Sequence, residues 1–191
     1  MGEAAVNIRL SVADYLEMER TAEVRHEYHR GEIFAMAGGT LNHSFLGNGI
    51  NTELNLICRR SGCAPFNGDM RIRIEEEDRF LYPEASVVCG PVLRGQGDKN
   101  SISNPVLVAE VLSETTETYD RGEKFRLYRT LPSLREYMLI SQDKPMVEVF
   151  FRDEAGWHFE AWEGLEAMVA LRSLNAEMAM KDLYRNVVWE K

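Results

Sequence analysis

The chain has 191 residues, which suits one domain whose core is large enough to fold without disulfide or zinc bridges. Its hydrophobic fraction of 45% and charged fraction of 28% are ordinary for a globular protein, and no apolar run approaches the ~20 residues of a membrane helix. The net charge of −9 argues against coating of nucleic acid through a broad basic surface. From the length we expect a single domain, residues 1–191. Because the N-terminus lacks a signal pattern, we expect the protein in the cytoplasm.

The first third of the chain predicts a helix, a hairpin and a longer helix. Residues 11–20 begin with a serine and an aspartate at the spacing of a capping box. Residues 25–36 have the pattern of two strands joined at a glycine. Over residues 41–60 the apolar positions fall on one helical face, and they are Leu46, Ile50, Leu54 and Ile57. Gly62 is expected to end this helix.

The middle of the chain predicts strands. Over residues 70–74, apolar residues alternate with arginines, which is typical of a half-buried strand. Residues 80–89 and 106–112 are short apolar runs bounded by turn-forming residues, as buried strands are. Residues 90–105 between them are predicted to form a polar loop.

The last third predicts a helix, an antiparallel set of strands and a second helix. The first helix spans residues 120–128, and Pro132 prevents its continuation. The strands are expected over residues 136–141, 146–152 and 157–162, and the final helix over residues 175–184. This order of elements indicates an α/β (α+β) sandwich around a mixed sheet.

The cysteines and histidines lack the spacing of a metal site. Cys58, Cys63 and Cys89 include no C-x-x-C pair, and the four histidines include no H-x-x-x-H or H-E-x-x-H pair. We therefore expect reduced thiols that act as small buried hydrophobes, and no zinc.

Two carboxylates lie where buried strands should be apolar. Glu110 interrupts the run 106–112, and Glu84 interrupts the run 80–89 directly after Pro83, a residue that breaks strand pairing. An ionised carboxylate in a central strand is costly unless a cation compensates it. Two such residues on neighbouring strands predict a site for a hard cation. The alternative is that each is a satisfied structural group or faces water at a strand end.

A cationic side chain is expected beside this pair. Asp120, Lys124 and Tyr128 are spaced i, i+4, i+8 and share one face of the predicted helix. The helix starts ten residues after Glu110, so a short connection can fold that face over the end of the strand. Lys124 could then position water or stabilise the charge that develops during phosphoryl transfer. The alternative is an ordinary lysine–glutamate pairing on a helix surface.

Three segments of the chain together resemble one known family. They are residues 82–90 (YPEASVVCG), 104–113 (NPVLVAEVLS) and 119–128 (YDRGEKFRLY). In sequence, order and spacing they are similar to the Uma-two family of restriction endonucleases, within the PD-(D/E)XK nuclease superfamily. The resemblance extends over about residues 11–184.

This resemblance implies a restriction-endonuclease-like mixed central sheet flanked by helices, with a Mg²⁺- or Mn²⁺-dependent phosphodiesterase site. The first metal-binding acid of the superfamily matches Glu84, and the second matches Glu110. The catalytic lysine would fall at Leu112 by the usual spacing, and in this family it matches Lys124 on the next helix. Glu84 is a departure, since the family usually has aspartate there, and its extra methylene carries the carboxylate about 1.5 Å further.

A second group of candidates consists of Glu27, Glu32, His43, Asp69 and Asp120. Glu32 or His43 could add a contact to metal or water, although capping and backbone hydrogen bonds explain such residues equally well.

The leading hypothesis for function is an endonuclease that hydrolyses DNA phosphodiester bonds. A catalytically inactive binding or interaction module is the first alternative, and a metal-dependent hydrolase of a phosphorylated small molecule is the second. Cutting both strands of a duplex favours two-fold symmetry, so a homodimer is also an expectation.

Overall fold

The structure, a computed structural model, describes residues 9–36, 38–59 and 61–189. Its α-helices are α1 (Val12–Glu19), α2 (Leu41–Cys58), α3 (Glu117–Tyr119), α4 (Phe125–Tyr128) and α5 (Met180–Leu183). A π-helical turn (Asp120–Lys124) joins α3 to α4 without a break, and we call these three segments together the 117–128 helix. In the described residues, no helix is both long and apolar enough to cross a membrane.

The strands form three sheets. They are β1 (His26–His29), β2 (Glu32–Ala35), β3 (Cys63–Asn67), β4 (Arg71–Ile74), β5 (Arg79–Leu81), β6 (Ala85–Cys89), β7 (Ser101–Ile102), β8 (Leu107–Val111), β9 (Glu136–Ile140), β10 (Met146–Arg152), β11 (Trp157–Glu163), β12 (Met168–Leu171) and β13 (Ala176–Ala179). One sheet has the order β2-β1-β5-β4-β7, the second has the order β11-β10-β9-β8-β6-β3, and β12 pairs with β13. In the second sheet β8 is antiparallel to β6 and parallel to β9, so the sheet is mixed.

Helices cover both faces of this mixed sheet. On one face, α2 buries Leu46, Ile50 and Leu54 against apolar side chains of β6 and β8. On the other face, Leu127 and Tyr128 of the 117–128 helix pack against β8 and β9. Alternation along β8 sends successive side chains into these two cores, which explains why the strand is apolar on both sides. The predicted mixed sheet flanked by helices is confirmed.

Local signals near the N-terminus are also confirmed. Ser11 and Asp14 form a reciprocal capping box at the start of α1. The β1–β2 hairpin turns at Arg30 and Gly31, which have φ angles of 49° and 97°. Glycine adopts this left-handed conformation without steric penalty, so its position in the sequence marks the turn.

The predicted strand over residues 80–89 is in fact two strands in different sheets. β5 belongs to the five-stranded sheet and β6 to the six-stranded sheet, and the chain crosses between them at Pro83 and Glu84. Proline has no N–H to donate to a ladder, so pairing stops there. As a result Glu84 lies just before a strand rather than within one.

Other element predictions need correction. The strand expected to be half-buried is buried on both sides, because Arg71 and Arg73 bind buried or nearby carboxylates, namely Asp98, Glu75 and Asp78. The loop over residues 90–105 contains β7. The helix expected from residue 120 begins at Glu117, and the first residues of the expected final helix form β13 before α5 begins.

The prediction that all three thiols are reduced is wrong for two of them. Cys63 and Cys89 form a disulfide, and only Cys58 has a free, buried thiol. The reason is the strand register, which places Cys63 directly opposite Cys89 on the neighbouring antiparallel strands β3 and β6. Sequence spacing alone does not reveal such a pairing.

Candidate functional site

A buried ammonium group lies among three carboxylates at the end of β8. The Nζ atom of Lys124 is 3.1 Å from Glu110 Oε1, 3.3 Å from Asp120 Oδ1 and 3.4 Å from Glu27 Oε1. The exposed fraction of each of these four residues is 7% or less. We call Glu27, Glu110, Asp120 and Lys124 the Lys124 cluster.

Three elements bring the cluster together. Glu110 belongs to β8, and its side chain lies on the sheet face that the 117–128 helix covers. The helix contributes Asp120 and Lys124 from one face, as their spacing predicts, and Tyr128 on the same face donates a hydrogen bond to Glu110 Oε1. The Tyr137 hydroxyl of β9 donates to the Asp120 carbonyl and fixes the helix to the sheet.

Glu27 reaches the cluster from the other sheet. It lies on β1, where its Oε1 accepts a hydrogen bond from the backbone N–H of Tyr82 at 3.3 Å. The cluster therefore fills the gap between the five-stranded and six-stranded sheets. The sequence placed Glu27 only in the second group of candidates, because it precedes a turn and its strand is short.

The excess of negative charge in the cluster shifts its protonation equilibria. Burial, together with the charges of Asp120 and Glu27, raises the pKa of Glu110 to about 8 despite the opposing effect of Lys124. Burial acts to lower the pKa of Lys124, but the surrounding carboxylates raise it well above its ordinary value. Burial also disfavours the ionised form of Glu27, yet Lys124 and His29 keep the pKa of Glu27 below its ordinary value. Lys124 is thus charged, and Glu110 takes up a proton near neutral pH.

Glu84 is close to Glu110 along the sheet but has different partners. Ala85 pairs with Ala109, so Glu84 occupies the next position along this ladder, beside Glu110. Its carboxylate nevertheless lies against α2, with Oε2 3.6 Å from His43 Nε2. A side chain at Gly47 of α2 would collide with this carboxylate. In the described residues, the Glu84 carboxylate contacts His43 and forms no ion pair with the Lys124 cluster, while the Glu84 backbone carbonyl accepts a hydrogen bond from Asn51 Nδ2 at 3.2 Å. That Glu84 and Glu110 share one cation therefore stays a prediction.

The carboxylate oxygens of Glu84 and of the Lys124 cluster are the type of ligand that a hard divalent cation prefers. Their positions in the described residues, however, do not form a metal site. Across residues 9–36, 38–59 and 61–189, no three His, Cys, Asp or Glu side chains are grouped so that they could hold a metal ion. Yet Asp120 Oδ1, although 3.3 Å from the Lys124 ammonium, accepts no hydrogen bond from any described residue, and Lys124 and Tyr128 both donate to Oε1 of Glu110 rather than to Oε2. Oxygen atoms with spare capacity are what Mg²⁺ and Mn²⁺ require.

The other candidates from the sequence lie at different places. Glu32 is exposed on β2, opposite His29 in the hairpin register. Asp69 is exposed and pairs with Arg25. His43 contacts Glu84 rather than the cluster.

Sequence reasoning missed His29 and Tyr119, which lie beside the cluster. His29 Nε2 is 3.1 Å from the Tyr119 hydroxyl and 3.5 Å from Glu27 Oε2. Alternation along β1 could have indicated His29, because it lies two residues after Glu27 and residues two apart on a strand share a face.

Comparison with known proteins assigns the family. The Uma2 family model, described as "Putative restriction endonuclease", matches residues 12–184. The chain belongs to this family. Uncharacterized protein slr1290 of Synechocystis sp. is 35% identical over 188 residues, which is 95% of this chain and 94% of the relative. Uncharacterized protein sll1609 of the same organism is 35% identical over 133 residues, 70% of this chain and 75% of that relative.

A solved structure shares the fold of this Uma2 family member. It is described as a putative nuclease belonging to DUF820, from Anabaena variabilis, and its TM-score against this chain is 0.74. The likeness covers 94% of this chain and 99% of the other at 18% sequence identity. At that identity the comparison establishes the architecture, and the chemistry must be argued from the site itself.

Proposed function

We propose that this chain is a metal-dependent endonuclease that hydrolyses phosphodiester bonds in DNA. The observation that carries the proposal is the contact of Lys124 with Glu110, both buried, at the end of a central strand. A buried charged pair of this kind gives little net stability, because desolvation offsets most of the attraction. Its presence in the core is better explained by a chemical role than by a contribution to stability.

The metal-binding acids would be Glu84 and Glu110, with Mg²⁺ or Mn²⁺ as the ion. Such an ion would polarise the phosphate and lower the pKa of the attacking water. Glu110 would bind through the carboxylate once its proton is lost, and Oε2 is the oxygen that neither Lys124 nor Tyr128 contacts. Glu84 would have to leave His43 to join it.

Lys124 would act on the phosphate or on the attacking water. Its ammonium is held by Glu27, Glu110 and Asp120, so its position is set before substrate arrives. A preorganised charge in a site that excludes water stabilises the negative charge that develops on phosphate oxygens far more than a solvated charge would. Glu27 and Asp120 are positioning residues in this scheme.

A catalytically inactive binding module is the second candidate. Its support is the pairing of Glu84 with His43, together with the absence of a ready three-ligand group in the part of the chain that the structure describes. The net charge of −9 also weakens non-specific attraction to DNA. The homodimer expected for double-strand cleavage stays a prediction in both cases.

Plasmid cleavage separates the two candidates. Supercoiled plasmid should be nicked or linearised in the presence of Mg²⁺ or Mn²⁺ and not in EDTA. Lys124→Ala should cut at least ~100-fold more slowly, which corresponds to about 2.7 kcal/mol. Lys144→Ala is the matched control, since Lys144 also pairs with a glutamate but is exposed. Equal rates for Lys124→Ala and wild type would contradict the role of Lys124.

Absence of cleavage by the wild type would favour the inactive module. Glu84→Asp is then the informative variant. Gain of cleavage in Glu84→Asp would show that the additional methylene had silenced a nuclease.

A further inference from the structure

One face of the five-stranded sheet carries polar side chains next to the Lys124 cluster. Tyr28 and Phe80 point to the opposite face, where they pack against α1. Their neighbours His29 and Arg79 therefore face the 117–128 helix, since side chains alternate along strands. His29 is directly opposite Arg79 in the β1–β5 register, and the Cβ atoms of such a pair are about 5 Å apart.

His29 connects this pair to the Lys124 cluster. Its Nε2 atom contacts the Tyr119 hydroxyl at 3.1 Å and lies 3.5 Å from Glu27, which in turn is 3.4 Å from Lys124. The Lys124 ammonium is 5.8 Å from the centre of the Tyr119 ring. Burial raises the pKa of the Tyr119 hydroxyl, and the charges of Lys124 and Arg79 oppose that rise. Arg79, His29 and Tyr119 are thus neighbours of the proposed catalytic lysine.

Among the described residues, Arg79 forms no ion pair with a carboxylate, in contrast to Arg30 and Arg126 nearby. Glu77 binds both Arg30 and Arg126, and Glu123 also binds Arg126. In the residues that the structure describes, Arg79 Nε is buried without a hydrogen-bond partner, and its guanidinium takes part in none of these ion pairs. A buried donor without an acceptor is unfavourable, so an anion that accepts a hydrogen bond from Arg79 would remove this penalty.

We propose that Arg79, flanked by His29 and Tyr119, binds a phosphodiester group of DNA next to the bond that is cut. This inference rests on the proposed endonuclease function and adds the position of the substrate. A guanidinium donates two parallel hydrogen bonds to phosphate oxygens, and the Tyr119 hydroxyl can supply a further donor. A phosphate contact fixes the register of the strand but reads no base, so Arg79 positions DNA without selecting a sequence.

The charge of the protein explains why such an anchor is needed. The net charge is −9, and the Lys124 cluster itself contains more carboxylates than ammonium groups. A DNA strand that approaches Lys124 is therefore repelled by its surroundings. A guanidinium that forms no ion pair with any described residue supplies local attraction beside the cluster, where the strand must enter. A distant surface cation could not do so once salt screens it.

DNA binding, measured apart from cleavage, tests the proposal. Fluorescence anisotropy of a short labelled duplex is followed in EDTA from about 50 to about 200 mM salt. Arg79→Gln should weaken binding about 10-fold at the low-salt end and reduce the slope of log affinity against log salt by about 1. Arg152→Gln is the matched control, because Arg152 is also half-buried but lies at the far end of β10. It should leave both quantities unchanged.

Arg79→Lys guards against a folding defect in the glutamine variant. It keeps the charge but loses the bidentate geometry, so the salt slope should be retained while the affinity falls. The proposal is overturned if Arg79→Gln keeps the wild-type slope, if Arg152→Gln changes it equally, if Arg79→Lys binds as tightly as wild type, or if the wild type does not bind the duplex.

These outcomes are distinguishable from failure of the proposed function. If the salt dependence of DNA affinity requires Arg79 but no plasmid is cleaved, Arg79 binds DNA in a protein that is not a nuclease. Cleavage with a slope that does not depend on Arg79 would leave a nuclease whose substrate is held elsewhere.

Discussion

Glu110→Gln is expected to stabilise the metal-free protein at pH 8 and to have little effect at pH 5. The pKa of Glu110 rises from 4.5 to about 8 on folding. A carboxyl group with a raised pKa favours the folded state below its unfolded pKa, and this stability is lost as the pH rises from 4.5 to about 8. At about 1.4 kcal/mol for each tenfold change, the loss is at most about 5 kcal/mol. Glutamine has nearly the same shape as glutamate and carries no charge, so Glu110→Gln avoids this loss of stability at high pH.

The assay is urea denaturation of wild type and Glu110→Gln in EDTA at a series of pH values. Glu53 and Glu136 also have raised pKa values through burial, but they are present in both proteins and cancel in the difference. Glu154→Gln, on an exposed turn, controls for the loss of one negative charge. A variant that is less stable than wild type at every pH would refute the reasoning and would make Glu110 a structural hydrogen-bond acceptor.

Three further predictions address the cluster and the disulfide. Mn²⁺ should raise the midpoint of thermal unfolding of the wild type but not of Glu110→Gln, with a larger effect at pH 8 than at pH 6; equal, negligible binding to both in calorimetry would favour the inactive module. Lys124→Ala should lower the free energy of unfolding at pH 8 by about 3–5 kcal/mol in metal-free buffer, because it leaves buried carboxylates unpaired. A loss below about 1 kcal/mol in urea titrations would contradict the burial of the Lys124–Glu110 pair. Cys63→Ser should lower the free energy of unfolding by about 3.5 kcal/mol, as expected for a loop of 26 residues. Dithiothreitol should lower the melting temperature of the wild type but not of the variant, and an equal response to reductant would argue against the disulfide.

The sequence was sufficient to predict that Glu110 and Lys124, the central pair of the candidate site, lie together. Glu110 stood out because a charge inside an apolar run needs compensation, and Lys124 because its helical spacing placed it with Asp120 and Tyr128. Both signals are local, and the contacts of the Lys124 cluster confirm that these side chains meet. Family resemblance then supplied the roles, which geometry alone does not establish.

The remaining members of the site depend on how distant elements pack. Glu27 enters the cluster only because β1 of the five-stranded sheet and β8 of the six-stranded sheet both bring a glutamate to Lys124. His29 and Arg79 become neighbours through the β1–β5 register. No periodicity within either strand encodes that register, because fifty residues separate the two strands.

The errors have the same physical origin. The Cys63–Cys89 bridge depends on the β3–β6 register, and β13 forms where the local pattern favours a helix because β12 offers it a partner. The arginines of β4 are buried because Asp98 and Glu75, which lie in connecting segments, pair with them. In each case a tertiary partner outweighed the local preference.

The arrangement of charge also explains how one site could be stable both with and without a metal ion. Three buried carboxylates cannot all remain ionised around one ammonium group, so Glu110 binds a proton near neutral pH. His43 meanwhile holds Glu84 against α2, which keeps a fourth carboxylate out of the cluster. A divalent cation would bring the positive charge that the cluster lacks, and its binding must then release the Glu110 proton and compete with His43 for Glu84. Metal affinity should consequently rise with pH up to about 8, as the Mn²⁺ experiment checks, because above that pH no proton remains to be displaced from Glu110.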